Sequence, residues 1–373
     1  MFQRLFQLLA PERKRSATAA MISLHTAGRP VWTPRNYAAL AQEGFAGNPM
    51  GYRAVRMIAE AAASIPWLAY DGDREVTEHP VLDLLRRPNP GQPGREFLEM
   101  VYGFLLVAGN AYVEKADVDG APRELYALRP DRMKAIASAS GWPEAFEYSV
   151  NGQSVRMPRE QVLHLKLFNP LNDHYGMSPL EAAQRSIDTH NAASAWNKAM
   201  LDNSARPSGA LVYAAGDGHL TSDQFERLKA ELENSYQGAS NAGRPMVLEG
   251  GLDWKEMGYS PKEMEFIEAK NAAAREIALA FGVPPMLLGI PGDNTYSNYA
   301  EANRAFWRQT VVPLASRVAE ALSGFLGGAL RLAHDLDQVE ALSMDREALW
   351  ARIEKASFLT TDEKREAVGY SRK

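Results

Sequence analysis

Two helix starts built from the same chemistry, Ser178-Pro179-Leu180-Glu181 and Ser260-Pro261-Lys262-Glu263, constrain the fold more than any other feature. In each, a hydroxyl is placed to cap an orphan amide, a proline occupies the first helical position, and a glutamate is spaced to reach back. After the second start, Ile267, Ala274, Ile277, Ala278 and Phe281 recur near helical spacing, and Gly282 with Pro284-Pro285 stops the helix at about Phe281. The first opens a helix to about Asn203, rich in Ala and Ser, with Ile187, Trp196 and Met200 as large apolar residues. That surface suits either close approach of another helix or plain exposure.

Beyond Phe281 the run from Leu287 through Gly289, Pro291 and Gly292 to Asp293, Asn294, Thr295, Tyr296, Ser297 and Asn298 has no period and reads as a loop. Asn298 with Glu301 is spaced to open a second long helix, carrying Ala302, Phe306, Leu314, Val318, Leu322 and Phe325 on one side. Pro313 falls inside it. The missing bond to the Gln309 carbonyl would cost ~3 kcal/mol in a straight helix, so a kink or break is expected.

The 373 residues suffice for two or three cores, and the absence of cysteine excludes disulfides, thiolate metal sites and cysteine nucleophiles. Net charge is -5 with acids and bases interspersed, unlike the basic stripe of a protein that grips nucleic acid by its phosphates. No run approaches the ~18 apolar residues of a membrane span. The sequence has no phosphate loop ending in Lys-Ser or Lys-Thr, no dinucleotide fingerprint, no nucleophile elbow and no His-Glu-x-x-His. Three acidic pairs, Asp71 with Asp73, Asp117 with Asp119 and Asp335 with Asp337, have cation-binding spacing, but the first two coincide with turns, where Asp is expected anyway. His164, inside an apolar strand, reads as a satisfied core residue.

In chain order, Phe2, Leu5, Phe6 and Leu9 share a helical face ahead of a basic cluster. The late charge and short apolar core argue against a signal peptide, leaving an arm that docks on a neighbour or, as the lesser alternative, lies on a membrane surface. Residues 16–47 read as an irregular lead-in. Asn48-Pro49 opens a helix that Pro66 limits, Trp67 to Tyr70 forms a strand, and short and long helices follow at 79–87 and 95–107. Gly109-Asn110 switches the chain to a strand; Asp119-Gly120 and Asn151-Gly152 mark hairpins, with strands at 124–128, 145–150 and 162–168. Residues 48–178 are therefore a mixed α+β domain. Residues 205–259 form a small unit with a helix capped at Thr221 to Gln224 and a hairpin pairing 246–249 with 252–257 across Gly250-Gly251. It carries eight acids against five bases. Helices at about 345–357 and 361–366 close the chain.

Several separated runs carry a family resemblance. Phe281-Gly-Val-Pro-Pro-Met-Leu-Leu-Gly289, Thr295-Tyr-Ser-Asn298 with Glu301, the Gly109-Asn-Ala-Tyr-Val113 run, the Arg87-Pro-Asn-Pro90 segment and the terminal Leu359-Thr-x-x-Glu363-x-Arg365 pattern resemble portal proteins of long-tailed double-stranded DNA bacteriophages and of gene transfer agents. The last departs from the family in having Asp362 where Asn is common. The resemblance implies an α+β portal fold: an N-terminal arm (1–47), a mixed α/β wing (48–178), stem helices (179–204 and 260–282), a small clip (205–259), a tunnel loop with a long helix completing the wing (283–312), and a short crown with the C-terminal segment (313–373).

It also implies a function. The chain would be one copy of a homo-dodecameric ring at one capsid vertex, in the virion or a virus-like particle of a phage, prophage or gene transfer agent, assembled in the bacterial cytoplasm. The ring would form the channel for DNA packaging and ejection and the head-to-tail junction. Its partners would be the major capsid protein, the terminase large subunit as separate ATPase, a head-tail adaptor and, weakly, double-stranded DNA, with no membrane, cofactor, metal or catalytic residue. Asp293, Asn294, Thr295, Tyr296, Ser297 and Asn298 become the DNA-facing residues, with Tyr296 either exposed or packed under the loop. Such a loop, with one acid and no base, would touch phosphates without holding them. The rival reading is a cytosolic metal-dependent enzyme using an Asp-x-Asp pair.

Overall fold

The computed structural model describes residues 32–369 except 140, 203–208, 214–220, 222, 225, 228, 231–251, 257–265, 293–295 and 327–329. The amphipathic segment at 2–9 and the cap at Ser260 lie outside the described residues. Part of the lead-in expected to be irregular is helical: α1 (Tyr37–Ala39), capped by the Asn36 side chain, continues as a π-helix over Leu40–Ala46. Burial of Leu40 in the main core, and of Gly44 beneath Leu180 and Ile187, outweighs the weak local pattern.

Helix α2 (Pro49–Ala63) begins where Asn48-Pro49 predicts and buries Ala54, Val55, Ile58, Ala59 and Ala62. Asn48 Oδ1 accepts from Met50 N and Gly51 N, while its Nδ2 donates to His190 Nδ1 (3.2 Å) and Asn191 Oδ1 (2.9 Å). The cap fixes the amide orientation, so the His190 Nδ1 is an acceptor. Asn48→Ala is expected to lower unfolding stability by about 2 kcal/mol, from a lost cap and a stranded buried acceptor. Asn48→Asp, which keeps the cap oxygen, should recover only part, and urea denaturation of both variants measures the split.

Strand β1 (Trp67–Asp71) turns through Gly72 into β2 (Arg74–Glu75). Helices α3 (Pro80–Arg86) and α4 (Gly94–Ala108) follow, the latter stopped by left-handed Gly109. Strands β3 (Asn110–Val118) and β4 (Ala121–Leu128) form the expected hairpin, with positive φ at Asp119 and Gly120. Then come β5 (Met133–Ala137), β6 (Pro143–Val150), β7 (Gln153–Pro158) and β8 (Val162–Lys166); Asn151 and Gly152, again at positive φ, join β6 to β7. The sheets run β4-β3-β8 and β5-β6-β7, and Tyr112, Leu128, Met133, Phe146, Met157 and Val162 fill a small core between them. His164 lies beside that core, its ring stacked on Tyr112 at 4.3 Å and its Nε2 3.0 Å from Asn110 Oδ1, as a satisfied core histidine should be.

Ser178 caps α5 (Pro179–Ala182) by accepting from Leu180 N, and donates its own hydroxyl to Leu106 O. Glu181 turns to Arg35, 3.9 Å away, rather than back to the cap. The helix expected to run unbroken to about Asn203 is interrupted at Ala183, and α6 (Gln184–Asp202) continues beyond it. The incoming chain is clamped on α6: the Thr33 amide and hydroxyl donate to Asp188 at 2.8 and 2.5 Å.

Next, β9 (Gly209–Tyr213) pairs antiparallel with β10 (Leu252–Glu256), Gly209 facing Glu256. The described partner of 252–256 is thus an earlier strand, reached by long-range pairing, and not only the tight hairpin expected from Gly250-Gly251; 246–249 lie outside the described residues. At the predicted cap Thr221 N donates to Gln224 Oε1 and Gln224 N to Thr221 Oγ1.

Helix α7 (Phe266–Phe281) lies antiparallel to α6. Trp196 near the end of α6 stacks on Phe266 at the start of α7 (4.1 Å, 15°), while Ser186 near the other end bonds Glu276. The Ala- and Ser-rich surface of α6 therefore serves close helix packing. After α7 come α8 (Tyr296–Phe306), a π-helical turn (Trp307–Val311) and α9 (Val312–Leu326). The expected kink at Pro313 is taken up as a π-turn: Val312 N bonds Trp307 O five residues back, so the helix absorbs the missing donor without breaking. Strand β11 (Leu330–His334) pairs with β1 along its whole length, closing the sheet β11-β1-β2. Two further helices follow among the described residues: α10 (Ser343–Lys355) and α11 (Thr361–Ala367), the latter opened by a full capping box between Thr360 and Glu363.

Candidate functional site

The loop between α7 and α8 is anchored at its base by apolar residues. Gly282, at φ +66°, ends α7, and Val283 N bonds Ala278 O. Pro284-Pro285 then makes a short 3-10 turn (Pro285–Leu288), closed by left-handed Gly289. Ile290 returns to pack on Ala274 and Ala278, with its amide on Pro285 O at 3.2 Å.

The Arg275 guanidinium, reaching from α7, donates to Pro291 O and so holds the strand of chain that enters the loop. Arg275 was not legible in the sequence, since it lies on the preceding helix. A base two residues before buried Ile277, and so on the outward side of the helix, is the signal that could have flagged it.

Of the six proposed DNA-facing residues, Asp293, Asn294 and Thr295 lie outside the described residues. Tyr296 and Ser297 are already helical, so α8 starts three residues before Tyr299, where an Asn298 cap would place it, and Asn298 sits exposed in its first turn. Asn298 and Ala302 face Arg275, Pro284, Pro285, Met286, Ile290 and Gly292 across a cleft of about 340 Å³.

The base of the loop is coupled to the π-turn, because Thr310 Oγ1 donates to Gly282 O at 2.6 Å. On the other side, Arg304 reaches Glu301 (3.1 Å) and Asp345 (3.8 Å), and Arg308 also reaches Asp345 (3.8 Å). These two bases are engaged with carboxylates, whereas Arg275 is bonded to a neutral carbonyl and keeps its positive charge uncompensated by that contact.

The acidic pairs have local roles. Asp71 and Asp73 flank the β1–β2 turn, and Asp117 and Asp119 border the β3–β4 turn. Asp335 accepts from Asp337 N and Gln338 Nε2, and Asp337 faces Arg346 at 3.8 Å. Among the described residues no three His, Asp or Glu side chains converge as a metal site, and no helix is long and apolar enough to cross a membrane.

A wing of small sheets on a helical core, an antiparallel helix pair bracketing a separate strand pair, and a short loop leading into one long bulged helix define a portal-type architecture. Residues 49–369 match the model of the family described as phage portal protein, and the chain belongs to that family. It superposes on a chain from the neck of an empty gene transfer agent (GTA) particle computed with C6 symmetry, with a TM-score of 0.73 and 55% identity over 93% of this chain and 96% of that one. A chain from the neck of a native GTA particle computed with C12 symmetry gives 0.70 and 53% over the same shares. The probable portal protein of Streptomyces phage phiC31 is 26% identical over 85% of this chain and 73% of its own length.

Proposed function

We propose that this chain assembles as a twelve-fold ring at the capsid-tail junction of a phage-like or gene transfer agent particle, forming the passage for double-stranded DNA and the platform that joins head to tail. The observation that carries this reading is the likeness, over nearly the whole chain and above half identity, to chains from GTA particle necks, one of them computed with C12 symmetry. In this reading residues 48–178 are the wing, α6 and α7 the stem, 205–259 the clip, 283–312 the tunnel loop and long helix, and 313–373 the crown and C-terminal segment. The ring meets the major capsid protein at its periphery, the terminase large subunit and later a head-tail adaptor at the clip, and DNA weakly in the channel. The motor is a separate ATPase.

Native mass spectrometry of the purified full chain tests this. A closed species near 490 kDa, twelve times 41.2 kDa, is expected; a compact dimer would overturn the reading. For the loop, Tyr296→Ala with Asn298→Ala should leave the ring mass unchanged while lowering the DNA retained per particle. Loss of the ring would instead assign this pair to assembly.

A further inference from the structure

The two C-terminal helices bury no residue fully. In α10, thirteen residues long, and α11, seven residues long, every side chain keeps part of its surface exposed. Yet the segment is not polar: Trp350 is 43% exposed, Met344 61% and Phe358 84%, with Leu349 and Ile353 only half-buried. Isolated helices shorter than ~12–15 residues are marginal in water, and most helical stability in proteins comes from packing an apolar face. The segment's polar ties to the rest of the chain include Arg304 and Arg308 to Asp345 and Arg346 to Asp337, all at 3.8 Å, with Arg304 also on Met344 Sδ at 3.5 Å. Exposed ion pairs of this kind contribute at most about 1 kcal/mol each. A lone copy therefore leaves this helix pair short of the burial that would hold it.

Resting on the ring reading above, we infer that the α10–α11 pair is an inter-protomer element, with Trp350 and Phe358 packed against the adjacent copy of this chain, so that its helices become stable only on ring closure. The occupant is a second copy because a cyclic ring joins unlike patches of neighbouring protomers, and each copy must then offer an apolar patch its own fold does not cover. A matching cleft exists on the same chain: Ile65, Pro66, Tyr299 and Trp307 line a recess of about 610 Å³ that Met344, at the head of α10, also borders. Large aromatic side chains left exposed beside such a recess are what a heterologous contact uses as anchors.

Hydrogen-deuterium exchange on the full-length chain, separated into monomer and ring fractions, reads this directly. Amides of 343–367 should exchange near the unfolded rate in the monomer and at least about tenfold slower in the ring, while those of α4 stay protected in both. Trp350→Ser with Phe358→Ser should leave the monomer's thermal melt unchanged and shift the ring-to-monomer balance at least about tenfold toward monomer. Protection of 343–367 in the monomer would overturn the inference. So would wild-type rings whose C-terminal helices exchange freely, or become protected only when capsid protein is added; the ring reading would survive either result. A wild-type chain that never closes into a ring would overturn both.

Discussion

Gly176→Ala is expected to destabilise the chain by about 3 kcal/mol or more, the scale of forcing atoms into a site that cannot relax. A Cβ at Gly176 would overlap the Gly109 carbonyl oxygen and come within 2.7 Å of Leu167 N. All of these are backbone atoms held in place: Gly109 O accepts from Leu167 N at 2.8 Å, Gly176 N donates to Asn110 Oδ1 at 2.8 Å, and Asn110 Nδ2 returns to Ala108 O and Gly176 O. Three segments therefore cross at one point, the end of α4, the exit of β8 and the approach to α5. Gly103, within α4, is the contrast. A Cβ there meets nothing within 4 Å, and Gly103→Ala should add about 0.5–1 kcal/mol through helix propensity. Urea denaturation of the two variants should move in opposite directions; equal shifts would remove the steric account of Gly176.

The second large effect is acid sensitivity centred on His164. Burial pushes its pKa down from 6.5 to about 4, with Lys166 and then His174 adding to the same direction. Because the folded pKa lies below the unfolded one, the stabilisation is complete above pH 6.5 and lost as pH falls toward 4, where the unfolded chain binds the extra proton. The full span is on the order of 3 kcal/mol. Asn110 Oδ1 accepts from the imidazole, so Nε2 carries the proton and the ring is neutral at pH 7. His190 and His334 are shifted downward as well, first by burial, and steepen the same limb. His164→Gln, able to donate to Asn110 without titrating, should flatten the dependence between pH 6.5 and 4. A variant as acid-sensitive as the parent would show that His164 does not carry it.

What could be read from the sequence was what local chemistry decides. Asp119-Gly120 and Asn151-Gly152 gave hairpins because two successive positive φ angles are tolerated by few residue pairs, and Asn48-Pro49, Thr360 with Glu363 and Gly282 fixed helix ends for similar reasons. What distant contacts decide stayed hidden. Strand β7 has four exposed residues at its start, Val155 among them, and buries only Met157. β11 alternates over only five residues, and its partner lies near the start of the domain. The π-turn before Pro313 has no sequence signature apart from the proline itself. At the candidate site, the position of the loop was legible from its Gly and Pro residues, but Arg275 was not, because only the folded α7 brings it to Pro291.

The pairing of β1 with β11 also sets an order of events during synthesis. Strand β1, with Ala69 destined to be fully buried, leaves the ribosome long before its full-length partner β11 is made. Until then β1 has the two-residue β2 on one side and an open edge on the other. A nascent chain stalled before residue 330 would present that edge to other nascent chains, which makes synthesis of β11 the step that protects the protein from pairing with the wrong copy.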